Sequence, residues 1–309
     1  MRSSGTFLCL ASGAAFGAMA IFGKLAYDEG VTAGTLLAVR FVMAALLFWA
    51  LVLAAGAVRE VRALGARDVA LGLAMGGCGY AAQATGYFAA LERIDASLLS
   101  LLLYTFPAIV TAGAIALGRE RVDGRRLVAL GLASAGLVLV LAGAGTGALD
   151  PLGVALALGA AVVYSAYILV GEGISGRMRS RVLSALVCTG AAVPLTAGAA
   201  LLGELRPGEV TAAGWGWLGC LAVVSTVGAI GLFFAGLRRV GSTTASILAT
   251  VEPVVTVTLA FLVFGETLGP VQLAGGALVL AAVPVLQARR VRRRRMPRRP
   301  VQLSTEEAM

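Results

Sequence analysis

The feature that most constrains the fold is an internal repeat. The stretch from Arg238 to Glu266 matches the stretch from Glu92 to Glu120 when it is shifted back by 146 positions without a gap. Each copy is an apolar run with a proline near its middle and a glutamate at its end. This pattern predicts two membrane helices that are interrupted at matching depths.

The composition supports a membrane location for the whole chain. Of the 309 residues, 59% are hydrophobic and 13% are charged, whereas a soluble domain carries about 25% charged residues. Runs of about 20 apolar residues have the length of a helix that crosses a bilayer. We therefore predict an all-α membrane protein with ten transmembrane helices. The predicted runs are 6–26, 34–56, 69–90, 96–117, 126–144, 151–171, 182–203, 213–236, 243–264 and 270–288.

The basic residues predict the orientation of these helices. If the amino terminus is cytoplasmic, all but four of the 25 Lys and Arg residues fall in cytoplasmic segments. The exceptions are Lys24, Arg40, Arg93 and Arg206. The positive-inside rule therefore places both termini in the cytoplasm of a multi-pass protein in the cytoplasmic (inner) cell membrane. The same distribution explains the pI near 10.1 without a nucleic-acid partner.

The repeat and the helix count together predict the domain organisation. Five helices per copy is an odd number, so the second copy enters the membrane inverted relative to the first. The predicted units are a first repeat at 1–145, a second repeat at 150–288 and an arginine-rich cytoplasmic tail at 289–309. A basic cluster beside a membrane helix is typical of a segment that binds anionic lipid, at about 1 kcal/mol per charge.

Several short motifs recur in a pattern known from one family. They are Gly17, Phe22, Gly23 and Lys24, then Arg40 and Phe41, then the stretches Pro107 to Glu120 and Glu252 to Glu266. On these residues the chain resembles the drug/metabolite transporter superfamily, in its ten-helix EamA type. The resemblance implies two five-helix repeats and the transport of a small metabolite or drug. Phe16 stands where many members have tryptophan.

Glu252 is the sharpest candidate for a functional residue. It lies about nine residues into the predicted ninth helix, or ~13 Å deep at 1.5 Å per residue. A charged group near the midplane costs about 2.5–3.5 kcal/mol on insertion scales, so it should face a cavity or a partner. One interpretation is a substrate or proton site. The other is a protonated acid that bonds the backbone carbonyl freed beside Pro253.

Arg40 and the two prolines also allow two interpretations each. Arg40 either holds an anionic group of a substrate or extends its long side chain to the outer surface. Pro107 and Pro253 either free carbonyls that line a site or simply kink their helices. Lys24 and Asp28 are spaced like a surface ion pair on one helix.

Tyrosine, amide and hydroxyl side chains supply the remaining candidates. Apolar walls with a few polar groups are how small molecules are held in a pocket, and packing is the alternative for each residue taken alone. Tyr104 corresponds to Thr250 when the two copies of the repeat are aligned. The predicted lining residues are Tyr80, Gln83, Tyr87, Tyr104, Tyr164, Ser246 and Thr250, with Tyr167 on the same helix face as Tyr164.

These features predict a secondary transporter that works by alternating access, an exporter of amino-acid-like solutes, with proton coupling through Glu252 as an open question. A channel or a noncatalytic membrane scaffold is the alternative. An intramembrane enzyme is disfavoured because the chain has no histidine and its aspartates all fall in predicted loops. The four cysteines have unrelated spacings and predict no metal site, and we expect no cofactor.

Overall fold

The computed structural model describes residues 2–118, 122–143, 150–175, 178–240 and 248–287. Four predictions lie wholly or partly outside the described residues: Ser246 as a lining residue, the first part of the predicted run 243–264, Glu120 as the end of the first repeated stretch, and the tail at 289–309.

The described chain is built from α-helices joined by short turns, which confirms the all-helical prediction. Each predicted run before residue 240 coincides with one helix or with helices in series, to within about four residues at its ends. The helices are α1 Arg2–Gly17, α2 Met19–Asp28, α3 Ala33–Ala54, α4 Val58–Arg62, α5 Ala66–Ala74, α6 Ala81–Leu91, α7 Ala96–Leu103, α8 Phe106–Ala116, α9 Gly124–Gly143, α10 Pro151–Ser175, α11 Ser180–Leu201, α12 Ala212–Ala222, α13 Ala229–Val240, α14 Val251–Phe264 and α15 Pro270–Gln287.

Several helical stretches are long and apolar enough to cross a membrane, some of them made of two helices in series. Within the described residues, 7 stretches meet the length and hydropathy of a span, and two shorter apolar helices occur at Val251–Phe264 and Pro270–Val285. Many large apolar side chains on their outer faces are exposed, such as Leu46 and Leu262. Such faces suit contact with lipid tails.

The two repeated stretches are interrupted where the prolines predict. In the first copy, α7 ends at Leu103, and α8 begins at Phe106 with Pro107 in its first turn. In the second copy, a turn at 249–250 precedes α14, which carries Pro253 in its first turn. Proline suits the first turn because its missing N–H would have no helical partner there. Each copy therefore presents the start of a half-helix inside the apolar layer.

Two π-helical segments occupy corresponding places in the two halves. Met75–Tyr80 joins α5 to α6, and Val223–Gly228 joins α12 to α13. Such segments insert an extra residue into a helix, and they often occur at functional sites. The sequence analysis does not predict these two segments.

The helix packing maps onto itself when the two halves are exchanged. Helix α1 packs against α13 and α14, while α10 packs against α6, α7 and α8. The two largest interfaces between the halves, α9 with α15 and α3 with α11, each join a helix to its counterpart, and α7 also packs against α14. Some helix pairs approach so closely that only glycine fits. A Cβ at Gly17 would lie 2.7 Å from the Glu252 carbonyl oxygen, and one at Gly190 would overlap the carbonyl oxygen of Leu73.

The turns collect on two opposite ends of the molecule. We call one end the Lys24 face: it holds the end of α2 and the turns at 29–32, 92–95, 202–211 and 265–269, which are tied together by bonds such as Thr32 Oγ1 to the Glu204 carbonyl. The other is the Arg239 face, where Gly5 at the start of α1 meets Arg239 at the end of α13. Here Glu60 pairs with Arg179 at 2.9 Å.

Candidate functional site

Arg40 lies in the middle of α3 and is buried inside the protein, with 2% of its surface exposed. Its Nε donates to the hydroxyl of Thr226 at 2.9 Å. The guanidinium also lies 5.1 Å from the Phe41 ring centroid and 5.4 Å from that of Phe88. The alternative in which Arg40 reaches the outer surface is therefore wrong.

The partners of Arg40 leave its charge uncompensated. Within the described residues, no carboxylate lies within 4.0 Å of the guanidinium. A buried charge without a counter-ion is costly, and the aromatic faces offset only part of that cost. Arg40 is thus suited to accept the anionic group of a solute.

Glu252 lies in the first turn of α14, where the helix dipole favours negative charge. Its Oε2 lies 3.5 Å from the hydroxyl of Tyr104. The Tyr104 hydroxyl donates its shorter hydrogen bond, of 2.5 Å, to the carbonyl of Ala249. The Ala249 carbonyl thus accepts from the Tyr104 hydroxyl and, at 3.0 Å, from the backbone N–H of Glu252. In the described part of the chain, Glu252 has no cation within ion-pair distance.

Six aromatic rings form a continuous row between these two residues. Successive ring centroids are 5.1, 6.0, 6.3, 4.8 and 5.6 Å apart, within the range of aromatic pairs. The row begins beside Arg40 and ends beside Glu252. In order, the rings are Phe41, Tyr80, Tyr167, Tyr164, Phe106 and Tyr104.

The predicted residues lie along this row or beside it. The Tyr87 ring centroid is 5.2 Å from that of Phe88, which lies against the Arg40 guanidinium. The structure therefore brings the predicted residues Arg40, Tyr80, Tyr87, Tyr104, Tyr164 and Glu252 into one region. Thr250 is the residue directly before α14, so it lies at the edge of this region.

Tyr87 and Gln83 both belong to α6, and both are buried. Tyr87 is 4% exposed and Gln83 is 7% exposed. Gln83 follows Tyr80 by three residues and precedes Tyr87 by four, so the three side chains fall on one side of the helix.

Thr226 and Phe106 are the site residues that sequence reasoning missed. Thr226 accepts the Arg40 bond and in turn donates to the Leu221 carbonyl at 2.8 Å. The repeat would have found both, because a shift of 146 carries Tyr80 onto Thr226 and Phe106 onto Glu252.

Lys24 does not pair with Asp28, so that prediction is wrong. Its Nζ lies 2.6 Å from Glu266 Oε1 and 3.7 Å from Asp95 Oδ1. Glu266 follows α14, whereas Lys24 lies near the end of α2, so the pair joins the two repeated halves. Asp28 lies instead on a groove of about 380 Å³ on the Lys24 face, which Lys24 also lines.

Glu266 makes more contacts than an ion pair. Its Oε2 accepts from the Ser97 N–H at 3.0 Å and from the Ser97 hydroxyl at 2.8 Å, and its Oε1 accepts from the Ala96 N–H at 3.1 Å. Burial works to raise the pKa of Glu266, but the bonds from Lys24 and Ser97 prevail and lower that pKa below its usual value. The carboxylate thus caps the first turn of α7 from another segment of the chain.

Comparisons with known proteins now identify the family. The model of the EamA-like transporter family matches residues 3–142 and 151–286. This chain belongs to the EamA-like transporter family. It is also 32% identical over 198 residues to an uncharacterized transporter of Archaeoglobus fulgidus, covering 64% of this chain and 69% of that protein.

Family membership establishes the class of function. The protein belongs to the drug/metabolite transporter superfamily, as a multi-pass membrane transporter of small solutes and not an enzyme. A protein of known crystal structure has a similar fold, with a TM-score of 0.65 and 20% identity over 93% of this chain and 97% of the other.

Proposed function

We propose that this EamA-like protein moves a small solute across the cytoplasmic membrane by alternating access. Two inverted five-helix repeats, at 1–145 and 150–288, would rock about the region between Arg40 and Glu252. Ten membrane crossings and two cytoplasmic termini belong to the same proposal.

The packing supports the inverted arrangement. The start of α1 meets the end of α13 near Arg239, and its counterpart, the start of α10, meets the end of α6, where Arg93 pairs with Asp150 at 3.1 Å. These equivalent junctions lie at opposite ends of the molecule. The first is at Gly5, where α1 begins, and the second is near Asp95, which lies close to Lys24 at the far end of α2. Two units of the same polarity would place them at the same end.

The observation that carries the proposed site is the pair of opposite charges that lack counter-ions. Arg40 is a buried cation and Glu252 a half-buried anion, and within the described residues each lacks an ion-pair partner. A solute with both a carboxylate and an amine would compensate both charges. We therefore propose an amino-acid-like zwitterion as the substrate class, with export as the direction.

Counterflow tests this proposal. The protein would first be screened by thermal shift against amino acids, nucleosides, sugars and cationic drugs, since a ligand of the folded state raises apparent stability. Hits would then be measured in oriented proteoliposomes preloaded with unlabelled solute. Saturable counterflow of a zwitterion supports a carrier, whereas a linear, unsaturable flux would support a channel, and no flux of any hit would support a scaffold.

Proton coupling is proposed to run through Glu252, because a carboxylate without a cation nearby in an apolar layer is suited to take up a proton. The Glu252→Gln variant should lose the pH dependence of transport. The matched control is Glu209→Gln, on a carboxylate that is 70% exposed. A pH profile that is unchanged in Glu252→Gln would remove this role.

A further inference from the structure

The Lys24 face holds a cluster that the transport site does not use. We call it the latch: Glu266, Lys24 and the Ala96–Ser97 start of α7. The Glu266 side chain is 6% exposed, although it lies in a turn at the end of the molecule. One carboxylate there accepts four hydrogen bonds, from an ammonium, two backbone N–H groups and a hydroxyl.

The latch holds together three segments that are distant in sequence. Lys24 belongs to α2, Ala96 and Ser97 begin α7, and Glu266 follows α14. The Lys24 ammonium also lies 5.1 Å from the ring centroid of Phe264, the last residue of α14. Charge-assisted bonds of this kind are stronger than neutral ones, so the three segments are firmly tied.

The tied segments are the half-helices that carry the proposed site. Helix α7 runs from the latch to Leu103, directly before Tyr104, and α14 runs from Val251, directly before Glu252, to the latch. The pair is therefore fastened at both ends: at the site by the Tyr104 to Ala249 bond, and at the Lys24 face by Glu266. The groove of about 380 Å³ lies beside the latch, because Lys24 belongs to both.

We propose that Glu266 is the gating residue of the Lys24 face, an inference that rests on the proposed alternating access. While Glu266 caps α7 and binds Lys24, the half-helices cannot separate at this end, and the site is closed to it. Loss of these bonds lets the start of α7 and the end of α14 part, which opens a path from the groove to Tyr104 and Glu252. The latch is closed in this structure.

Thiol labelling tests the gate without any solute. Ser100 is 5% exposed and lies on α7 between Ser97 and Tyr104, so Ser100→Cys in a background free of the four native cysteines reports access along this path. A membrane-impermeant maleimide would be added to vesicles from the Lys24 face. Its labelling rate measures how often that face opens.

The variants differ in how much of the latch they remove. Glu266→Gln removes the ion pair and weakens the cap, and it should raise the labelling rate about tenfold, the change expected from one bond to a charged group. Lys24→Gln leaves the cap in place and should raise the rate by less. Glu209→Gln, an exposed carboxylate on the same face, should not change it.

Equal labelling rates in Glu266→Gln and Glu209→Gln would overturn the proposal. If Glu266→Gln does not fold, Lys24→Gln decides alone, and a rate equal to that of the control overturns the gate. The two proposals fail separately. Absent counterflow of every solute defeats the transport proposal, while unchanged labelling alongside saturable counterflow defeats only the gate.

Discussion

At the scale of single residues, the two repeated halves supply different chemistry at equivalent positions. A shift of 146 places Phe106 on Glu252, Tyr104 on Thr250 and Tyr80 on Thr226. At these three positions the first half contributes aromatic rings, and the second contributes hydroxyls and a carboxylate. Elsewhere in the site the shares differ, because Arg40 comes from the first half and Tyr164 and Tyr167 from the second. A duplicated fold can in this way place different chemistry at equivalent positions.

Thr226 should contribute to the stability of the folded protein through its hydrogen bond with Arg40. It is fully buried, and Thr226→Val would keep its shape while leaving the Arg40 Nε without a partner. We expect unfolding in detergent to become easier by about 1–3 kcal/mol, the cost of an unsatisfied buried group. The control is Thr258→Val, on an exposed threonine of α14 that bonds only its own helix. Equal losses in both variants would contradict the assigned role.

The latch predicts a pH dependence of stability with a definite sign. The pKa of Glu266 is lower in the folded protein than its usual value, so its ionised form stabilises the fold, and this contribution is lost as pH falls through the lowered pKa. The stability difference between the wild type and Glu266→Gln should therefore stay constant above the usual glutamate pKa of about 4.3 and shrink below it. Thermal unfolding of both proteins from pH 3 to pH 7 measures this. A difference that disappears between pH 5 and pH 7 would contradict it.

At the scale of helices, close packing through glycine fixes where the elements can lie. In α11, a Cβ at Gly190 would overlap the Leu73 carbonyl oxygen, whereas one at Gly198 would meet nothing within 4 Å. The same helix thus contains a glycine that packing requires and one that it does not.

These two glycines give a matched pair of substitutions. Gly190→Ala should destabilise the protein by about 1–3 kcal/mol, because α11 must move away from α5. Gly198→Ala should be neutral or stabilising by up to about 1 kcal/mol, because alanine loses less backbone entropy in a helix. Unfolding in detergent compares them, and a Gly190→Ala variant as stable as Gly198→Ala would contradict the packing.

The helices show which parts of the fold the sequence could predict. Apolar runs predicted the spans, and Pro107 predicted the break between α7 and α8, because these signals are local. The segment Met75–Tyr80 was not predicted, since its π-helical form depends on packing between helices rather than on residue type. The ion pair between Lys24 and Asp28 is a wrong prediction for a related reason. Spacing along one helix suggests a local partner, whereas the partner in the fold, Glu266, is distant in the chain.

The candidate site was predicted in part for similar reasons. Glu252 and Arg40 stand out in any apolar run, because a charge there is costly wherever it points. Their surroundings depend on tertiary contacts: Tyr104 bonds Ala249, and Thr226 bonds Arg40. The internal repeat can indicate further residues of the site, since it relates Tyr104 to Thr250 and Tyr80 to Thr226.

At the scale of the whole molecule, the two faces differ in charge. In the described part of the chain, the Arg239 face carries most of the arginines, which predicts that it is the cytoplasmic face. The Lys24 face has few cations and holds the latch. Its cations are Lys24, Arg93 and Arg206, whereas the arginines of the other face are Arg59, Arg62, Arg67, Arg125, Arg126, Arg179, Arg181 and Arg239.

Access to the site from both faces tests the central claim most directly. A single cysteine at Thr250, beside Glu252, would be labelled with an impermeant thiol reagent in right-side-out and in inside-out vesicles. We expect labelling from both faces, and we expect Glu266→Gln to raise the rate from the Lys24 face while lowering it from the Arg239 face, as alternating access requires. Labelling from one face only, or rates that rise together from both, would contradict the account.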